Sequence, residues 1–232
     1  MSELRTYCIE RACVVEFVHC DLSAAEGRQA CLRTVACSGS SLDLLVLCHN
    51  WSPLCEALAI QSEVLSSVLS IGFVSWVGLI TDCMPLFRSS VRCAPRVIAL
   101  NSGSAVTATP LIPMYAATKA ALLNFFAHCN EQERRSVRRA AEEQRRHHRV
   151  LFQTALLPMV DTPAIHSFYA WEKIRQDSLR TSDVCAHVLA SDSEVCFLAT
   201  SIRVMAVLNA ISPWLSESAT RLYFLLRGVQ EP

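Results

Sequence analysis

The chain has 232 residues, zero formal net charge, and 52% apolar against 18% charged residues. That is enough for one ordinary domain with a substantial core, and too apolar for a disordered segment. The neutral balance supplies no global field for nucleic acid or an anionic membrane, and charges at Glu3, Arg5, Glu10 and Arg11 interrupt any N-terminal signal segment.

The first predicted element is a strand at Val14–Cys20 (VVEFVHC), short, apolar and rich in β-branched residues. A helical stretch, Ala24–Cys37, follows it. The next apolar runs, Leu44–Cys48 (LLVLC), Arg96–Leu100 (RVIAL) and Val150–Leu156 (VLFQTAL), read as further strands. Between them lie segments of helical length, Glu63–Arg88 and Tyr115–Arg149. Strands and helices alternating at this spacing predict βαβ units: an α/β fold with a parallel sheet and helices on both faces.

Within the third helical stretch, residues 131–149 (EQERRSVRRAAEEQRRHHR) form a charged extension. Glu and Arg recur there at spacings of three and four, which predicts a solvated helix face, with an anionic partner as the alternative. Within the apolar C-terminal region, residues 196–226, Leu222–Leu226 is too short to span a membrane alone, and the stretch Cys196–Leu215 approaches the length of a membrane span. Arg203, Asn209 and Pro213 interrupt it, so a buried or interfacial helix is the expectation. Twelve cysteines occur without a CxxC pair, and seven histidines without HxxxH or HExxH spacing. Cys20, Cys48, Cys83 and Cys196 lie inside apolar runs, where cysteine is a small hydrophobe, so no metal site and a reducing compartment are expected.

The chemistry concentrates in Arg96–Leu122 (RVIALNSGSAVTATPLIPMYAATKAAL). A strand leads into Ser102; Tyr115 comes thirteen residues later and Lys119 four after that. Tyr115 and Lys119 then share a helical face, and Ser102 sits just past a strand's C-terminal end, where open α/β sheets hold ligands. A phenol with a pKa near 10 is a poor proton partner at neutral pH, and an adjacent cation favours its ionised form. Bringing it towards 7 or 8 takes roughly 3–4 kcal/mol, at about 1.36 kcal/mol per unit, and Lys119 is expected to supply much of this. Ser102 would hold a substrate carbonyl while Tyr115 protonates its oxygen as hydride arrives. Lysine is scarce here: Lys119 and Lys173 stand against nineteen arginines, so an ammonium at this site is a selective choice. Ser104 is the alternative serine, with the spacing favouring Ser102. His49 is read as filling space beside a cofactor cleft rather than binding metal.

These residues resemble the short-chain dehydrogenase/reductase family from about Cys13 to at least Pro163. The resemblance implies a Rossmann-like, doubly wound parallel sheet and an NAD(P)-dependent oxidoreductase. Ser102, Tyr115 and Lys119 fit the catalytic serine, tyrosine and lysine, with Lys119 also holding the cofactor ribose. VVEFVHCDLS resembles the third strand, which implies Asp21, with Leu22 beside it, at the adenine. LDLLVLCHN resembles the strand ending in NNAG and implies Cys48, His49 and Asn50 along the cofactor. LLPMVDTP resembles the PGxxxT segment, implying Thr162 at the nicotinamide carboxamide. Phe168, Tyr169 and Trp171 then fall on a substrate loop.

LVLCHN, LSIGFVSWV and PMVDTP further resemble 3-ketodihydrosphingosine reductases. That implies NADPH, with NADH not excluded, a long-chain ketone, and the cytoplasm or the cytosolic face of the endoplasmic reticulum membrane. Family members pair through the helices placed at Glu63–Arg88 and Tyr115–Arg149, so a homo-oligomer is implied. The chain departs from the pattern in four places, one of them Leu47, Cys48, His49 and Asn50 at NNAG, where the family's small residues leave room for cofactor. The glycine-rich turn TGxxxGxG is absent, as though the first βαβ unit were missing. Gly72 stands where the family has a catalytic asparagine, and Pro158 stands at the glycine of PG. A non-catalytic relative that keeps the scaffold for lipid or partner binding is therefore the second reading.

Overall fold

Apolar runs that must bury both faces become neighbouring parallel strands here, as the sequence requires. In the computed structural model, which describes residues 10, 14–39, 41–90, 94–109, 112–143, 148–162 and 178–227, the strands are β1 (Leu44–Leu47), β2 (Arg96–Ser102), β3 (Leu151–Leu157) and β4 (Val195–Phe197). They lie side by side in chain order, all parallel, with Leu44 opposite Arg96, Arg96 opposite Leu151, and Thr154 opposite Val195. The helices are α1 (Ala25–Ser38), α2 (Ser62–Leu69), α3 (Ser75–Arg88), α4 (Pro113–Glu142), α5 (Thr181–Ala190), α6 (Thr200–Ile211) and α7 (Pro213–Leu226). A π-helical segment, Ser70–Val74, joins α2 to α3 without a break in the chain's course.

Successive residues of a strand point to opposite faces, and the core divides accordingly. Val97 and Ala99 of β2 and Phe152 of β3 meet Trp76, Leu79, Ile80, Cys83 and Phe87 of α3 and Leu122 and Phe126 of α4. Ile98 and Ala155 face the other way, onto Val184 and Val188 of α5. Helices on both sides of a parallel sheet are the predicted α/β, Rossmann-like architecture. By length and composition the stretch Ser62–Arg88 could also cross a membrane, but a core helix of this kind has the same composition, and its apolar face is spent on the sheet.

Three expectations need correction. Val14–Cys20 is not a strand among the described residues, and Val14 is 90% exposed. β-branched composition gives a propensity for a strand, not the strand itself. The charged helix ends at Glu142, short of Arg149. The C-terminal apolar region is not one helix: it opens with β4, then breaks at Ser212–Pro213 into α6 and α7, because proline cannot continue a helix but starts one readily. Helix α5 was not anticipated at all.

Part of the charged extension is tied down within the chain. Arg134 and Arg149 both pair with Glu194, just before β4, and Arg134 and Arg135 pair with Glu131 on their own helix. Arg88 reaches from α3 to buried Glu133, which also accepts from the Val150 amide. These pairs lash α4 to the start of β3 and β4.

Candidate active site

The predicted trio converges at the C-terminal end of β2. Proline at the start of α4 sets the helix, so that Tyr115 lies in its first turn and Lys119 in its second. Asn101, almost fully buried, fixes this helix to the strand: its Nδ2 donates to the Lys119 carbonyl (3.0 Å), and its Oδ1 accepts from the Ser102 amide (2.8 Å). One carboxamide thus sets the distance between the two elements carrying the chemistry. The Ser102 hydroxyl lies close enough to the Tyr115 phenol to favour its ionised form and lower its pKa. Ser104 supports it, donating to Ser102 Oγ from both its hydroxyl (2.9 Å) and its amide (3.2 Å). Both serines therefore belong to the site, with Ser102 the one in contact with the tyrosine.

Lys119 is 2% exposed. Its Nζ donates to the Leu100 carbonyl (3.3 Å), lies 4.2 Å from the Trp76 ring centre, and lies 5.5 Å from the Tyr115 ring centre. A carbonyl and an indole face replace only part of the water an ammonium loses. Burial accordingly pulls its pKa down from 10.5 to about 8, with Cys48 opposing weakly. The expectation that Lys119 would drive Tyr115 towards neutrality fails for the same reason. Burial pushes the phenol above its ordinary value of 10, and the Ser102 hydroxyl offsets this only in part. Desolvation wins over the cation, so Tyr115 holds its proton firmly, as a general acid at neutral pH must.

At the end of β1, His49 and Asn50 sit against the π-helical segment. His49 Nε2 lies 2.8 Å from Ser75 Oγ, and its carbonyl accepts from Trp76 Nε1 (2.9 Å). Burial and then the charge of Lys119 hold the His49 pKa below 6.5. Asn50 Oδ1 is buried with no hydrogen-bond partner. Gly72 is what admits it: a Cβ there would stand 2.9 Å from that oxygen and 3.2 Å from Thr118 Oγ1. The glycine is a packing requirement of this chain as well as a departure from the family pattern.

The other expected cofactor residues are placed differently. The Asp21 carboxylate accepts from the Ser23 amide (2.8 Å) and hydroxyl (2.6 Å), which lowers its pKa and turns the chain into α1. Leu22 packs its side chain on the core while its carbonyl accepts from Arg28. Cys48 is exposed at the β1 end. Thr162 follows the bridge between Val160 and Leu179, and among the described residues no hydrogen bond joins it to Tyr115 or Lys119. Phe168, Tyr169 and Trp171 lie outside the described residues. Sequence reasoning missed Asn101, Ser75 and Trp76. Their signals are weak, since asparagine after a strand and a tryptophan in an apolar helix both pass for ordinary packing.

A nicotinamide cofactor fits one half of this site on its own atoms. The unpartnered Asn50 oxygen, the Lys119 ammonium and the Ser102–Tyr115 pair gather at the ends of β1 and β2, where a ribose and a carbonyl both need polar partners. The pyrophosphate half is not matched by a glycine-rich turn: the six glycines, Gly27, Gly39, Gly72, Gly78, Gly103 and Gly228, contain no GxGxxG spacing.

Comparison with known proteins agrees with the fold and the family. The family described as short chain dehydrogenase matches residues 3–171. No curated protein matches the sequence. Among solved structures, the chain resembles a short chain dehydrogenase/reductase from Burkholderia phymatum in complex with NAD, with a TM-score of 0.74 and 13% identity over 93% of this chain and 82% of that one. It also resembles 3-oxoacyl (acyl-carrier-protein) reductase from Agrobacterium tumefaciens with NADP bound, with a TM-score of 0.67 and 20% identity over 85% and 78% of the two chains. The corresponding reductase from Brucella melitensis gives 0.63 and 16% over 88% and 81%. Identities this low speak for the fold alone.

Proposed function

Since this chain belongs to the short-chain dehydrogenase family, we propose that it is a reductase acting with NADPH on a long-chain ketone, with 3-ketodihydrosphingosine as the first candidate. The observation that carries the reading is the joining of Ser102, Tyr115 and Lys119 by the Asn101 staple. Three groups separated in sequence are fixed around one spot at a strand end, and their chemistry is complementary. The nicotinamide, when bound, supplies the hydride.

The chain's own residues do the rest. Ser102, held from behind by Ser104, presents its hydroxyl to the substrate carbonyl and orients it. Tyr115 stays protonated through neutral pH and gives its proton to the carbonyl oxygen as negative charge develops there. Lys119 and Asn50 would hold the ribose, Lys119 as donor and Asn50 as acceptor. Cys48, His49 and Thr162 would line the same cleft, with Asp21 and Leu22 towards the adenine.

A lipid substrate rests on the short resemblances at LVLCHN, LSIGFVSWV and PMVDTP. It is supported by surface composition at the C-terminus, where Val204, Val207, Ile211, Trp214, Leu222 and Leu225 are all exposed. A surface of this kind suits a protein that meets its substrate at a membrane, here the cytosolic face of the endoplasmic reticulum. Two structural neighbours are named as 3-oxoacyl reductases, and reduction of a 3-oxo carbonyl is compatible with this choice.

The test is consumption of NADPH by the purified chain with 3-ketodihydrosphingosine in detergent micelles, repeated with NADH. Tyr115→Phe removes the proton donor and should lower kcat by a factor of about 10² to 10⁴, with an unchanged circular dichroism spectrum. A Tyr115→Phe protein as fast as the wild type would refute the assignment.

A further inference from the structure

We propose that Cys20 and Cys31 form a redox modification site, a thiol pair that closes into a reversible disulfide and clamps the end of the Val14–Cys20 segment onto α1. The pair stands apart from Ser102, Tyr115 and Lys119, and the disulfide itself does not depend on the reductase reading.

The two side chains are already in contact. Their sulfurs lie 3.2 Å apart across a separation of 11 residues in the chain, and both residues are partly buried rather than sealed in the core. Closing to a covalent bond of about 2.05 Å asks for a movement of roughly 1 Å. Among the described residues no other two cysteine sulfurs lie within hydrogen-bond distance of each other. Burial and the neighbouring Cys20 push Cys31 up to about 11. Cys31 therefore remains a thiol at neutral pH, and Cys20 is the sulfur that meets an oxidant first.

What the pair holds follows from its surroundings. The turn after Cys20 is fixed to α1 and α3 on one side. A Cβ at Gly27 would stand 1.9 Å from the Asp21 carbonyl oxygen, so the turn lies directly on the first turn of α1. Arg28 Nη1 donates to the carbonyls of Leu22 (3.2 Å) and Ser23 (3.3 Å), and its Nε donates to Asp82 of α3 (3.2 Å). On the other side of Cys20, Glu16, Phe17, Val18 and His19 are exposed. Cys20 thus marks the boundary between a held turn and an exposed segment, and a covalent bond there fixes that boundary. Asp21 is the next residue. On the reductase reading it lies towards the adenine, so the clamp arranges that end of the cofactor cleft before the cofactor arrives.

The oxidant is a low-molecular-weight disulfide of the glutathione kind. Cys20 loses its proton to solvent and its sulfur attacks one sulfur of the oxidant. That S–S bond breaks, and the released thiolate takes up a proton. Cys31 then loses its proton and attacks the Cys20 sulfur; the mixed disulfide breaks and a second small thiol leaves. Two cysteines give up two electrons, and one small disulfide is reduced to two thiols. Excess small thiol drives both steps back.

The test takes the full chain, fully reduced, into neutral buffers of graded glutathione to glutathione disulfide ratio, then maps free and joined thiols by alkylation and peptide mass spectrometry. A Cys20–Cys31 crosslink should form before any other, disappear with dithiothreitol, and be absent from Cys20→Ser and Cys31→Ser. Amide hydrogen exchange from Cys20 to Ala24 should slow by about threefold or more when the wild type is oxidised. Glutathione disulfide should leave it unchanged in both variants. NADPH, followed by tryptophan quenching, should bind the oxidised wild type roughly threefold to tenfold more tightly than the reduced. The wild type carries both states, so the comparison stands even where a serine variant folds poorly. Cys31 joined to Cys83 instead, or a lasting glutathione adduct on Cys20 with no crosslink, would overturn the redox site. A crosslink that leaves exchange over the turn untouched would overturn the clamp. Equal NADPH affinity in the two states would refute its link to the cofactor, whereas a chain that binds no NADPH in either state would refute the reductase reading and leave the crosslink result standing.

Discussion

Replacing Lys119 with methionine tests the electrostatic account of the site, because it removes the charge while keeping most of the volume. The ammonium is almost fully buried and its pKa is held at about 8 instead of 10.5. At about 1.36 kcal/mol per unit, the folded chain therefore binds this proton about 3 kcal/mol less tightly than the unfolded chain does. The folded pKa is depressed, so the sign is clear. Below pH 8 lysine is protonated in both states and folding bears the whole penalty. Between pH 8 and 10.5 only the unfolded chain holds the proton, and stability rises with pH. From about pH 7.5 to 9.5 the wild type should gain roughly 2 kcal/mol relative to Lys119→Met. This window stops short of ionising Tyr115, whose pKa burial pushes above 10, and of the thiols of Cys31, Cys83 and Cys129, pushed up to about 11. Those groups are common to both proteins and cancel in the difference. Urea unfolding of the two proteins at four pH values measures it. Parallel stability curves would show that the ammonium is not desolvated. On the proposed reductase reading, the variant should also lose turnover at every pH while being more stable at neutral pH.

Two further outcomes follow from the packing around the site. Gly72→Asn, which installs the family's residue, drives a side chain against Asn50 Oδ1 and Thr118. It should cost about 1–3 kcal/mol of stability by urea unfolding, and pairing it with Asn50→Ala should recover part of this; additive effects would mean the two positions do not share the space. The thiols of Cys20 and Cys31 lie 3.2 Å apart, so mild oxidation with diamide should join them, a two-electron oxidation that the diamide balances. Closing that short loop should stabilise the chain by about 3 kcal/mol, and peptide mapping that finds other cysteines joined first would contradict the placement of residues 14–20 against α1.

The site was legible in the sequence because its core is local and chemically distinctive. Tyr115 and Lys119 needed only a helix to bring them together, and Ser102 needed only a strand ending where RVIAL ends. What escaped was everything set by tertiary contact. Asn101 reads as an ordinary residue after a strand, yet its two hydrogen bonds decide how far Ser102 stands from Lys119. Trp76 reads as core, which it is, but it is also the surface on which the ammonium rests. The pKa of Tyr115 was expected to fall because pairwise reasoning counts the nearby cation and not the water that both groups lose. Val14–Cys20 failed for a related reason: composition sets the propensity for a strand, not the strand itself.

The π-helical segment connects these observations. A regular helix through residues 62–88 would serve the core equally well, since the apolar face of α3 from Trp76 to Phe87 is all the sheet demands. The irregularity lies just before that face begins, at the level of the β1 and β2 ends, and each of its consequences concerns a polar group. It caps onto Ser75, whose hydroxyl lies 2.8 Å from His49 Nε2, and places Gly72 where Asn50 can enter. It also precedes Trp76, which carries Lys119. Gly72 and Trp76 also serve packing, but both meet polar groups here, and π-helical insertions occur often at functional sites. A chain retaining the fold merely as a binding scaffold would have no physical reason to keep an irregular turn, a buried unpaired carboxamide oxygen and a desolvated ammonium within one small volume. Each carries a stability cost, and proton and hydride chemistry at this spot gives all three the same reason to persist.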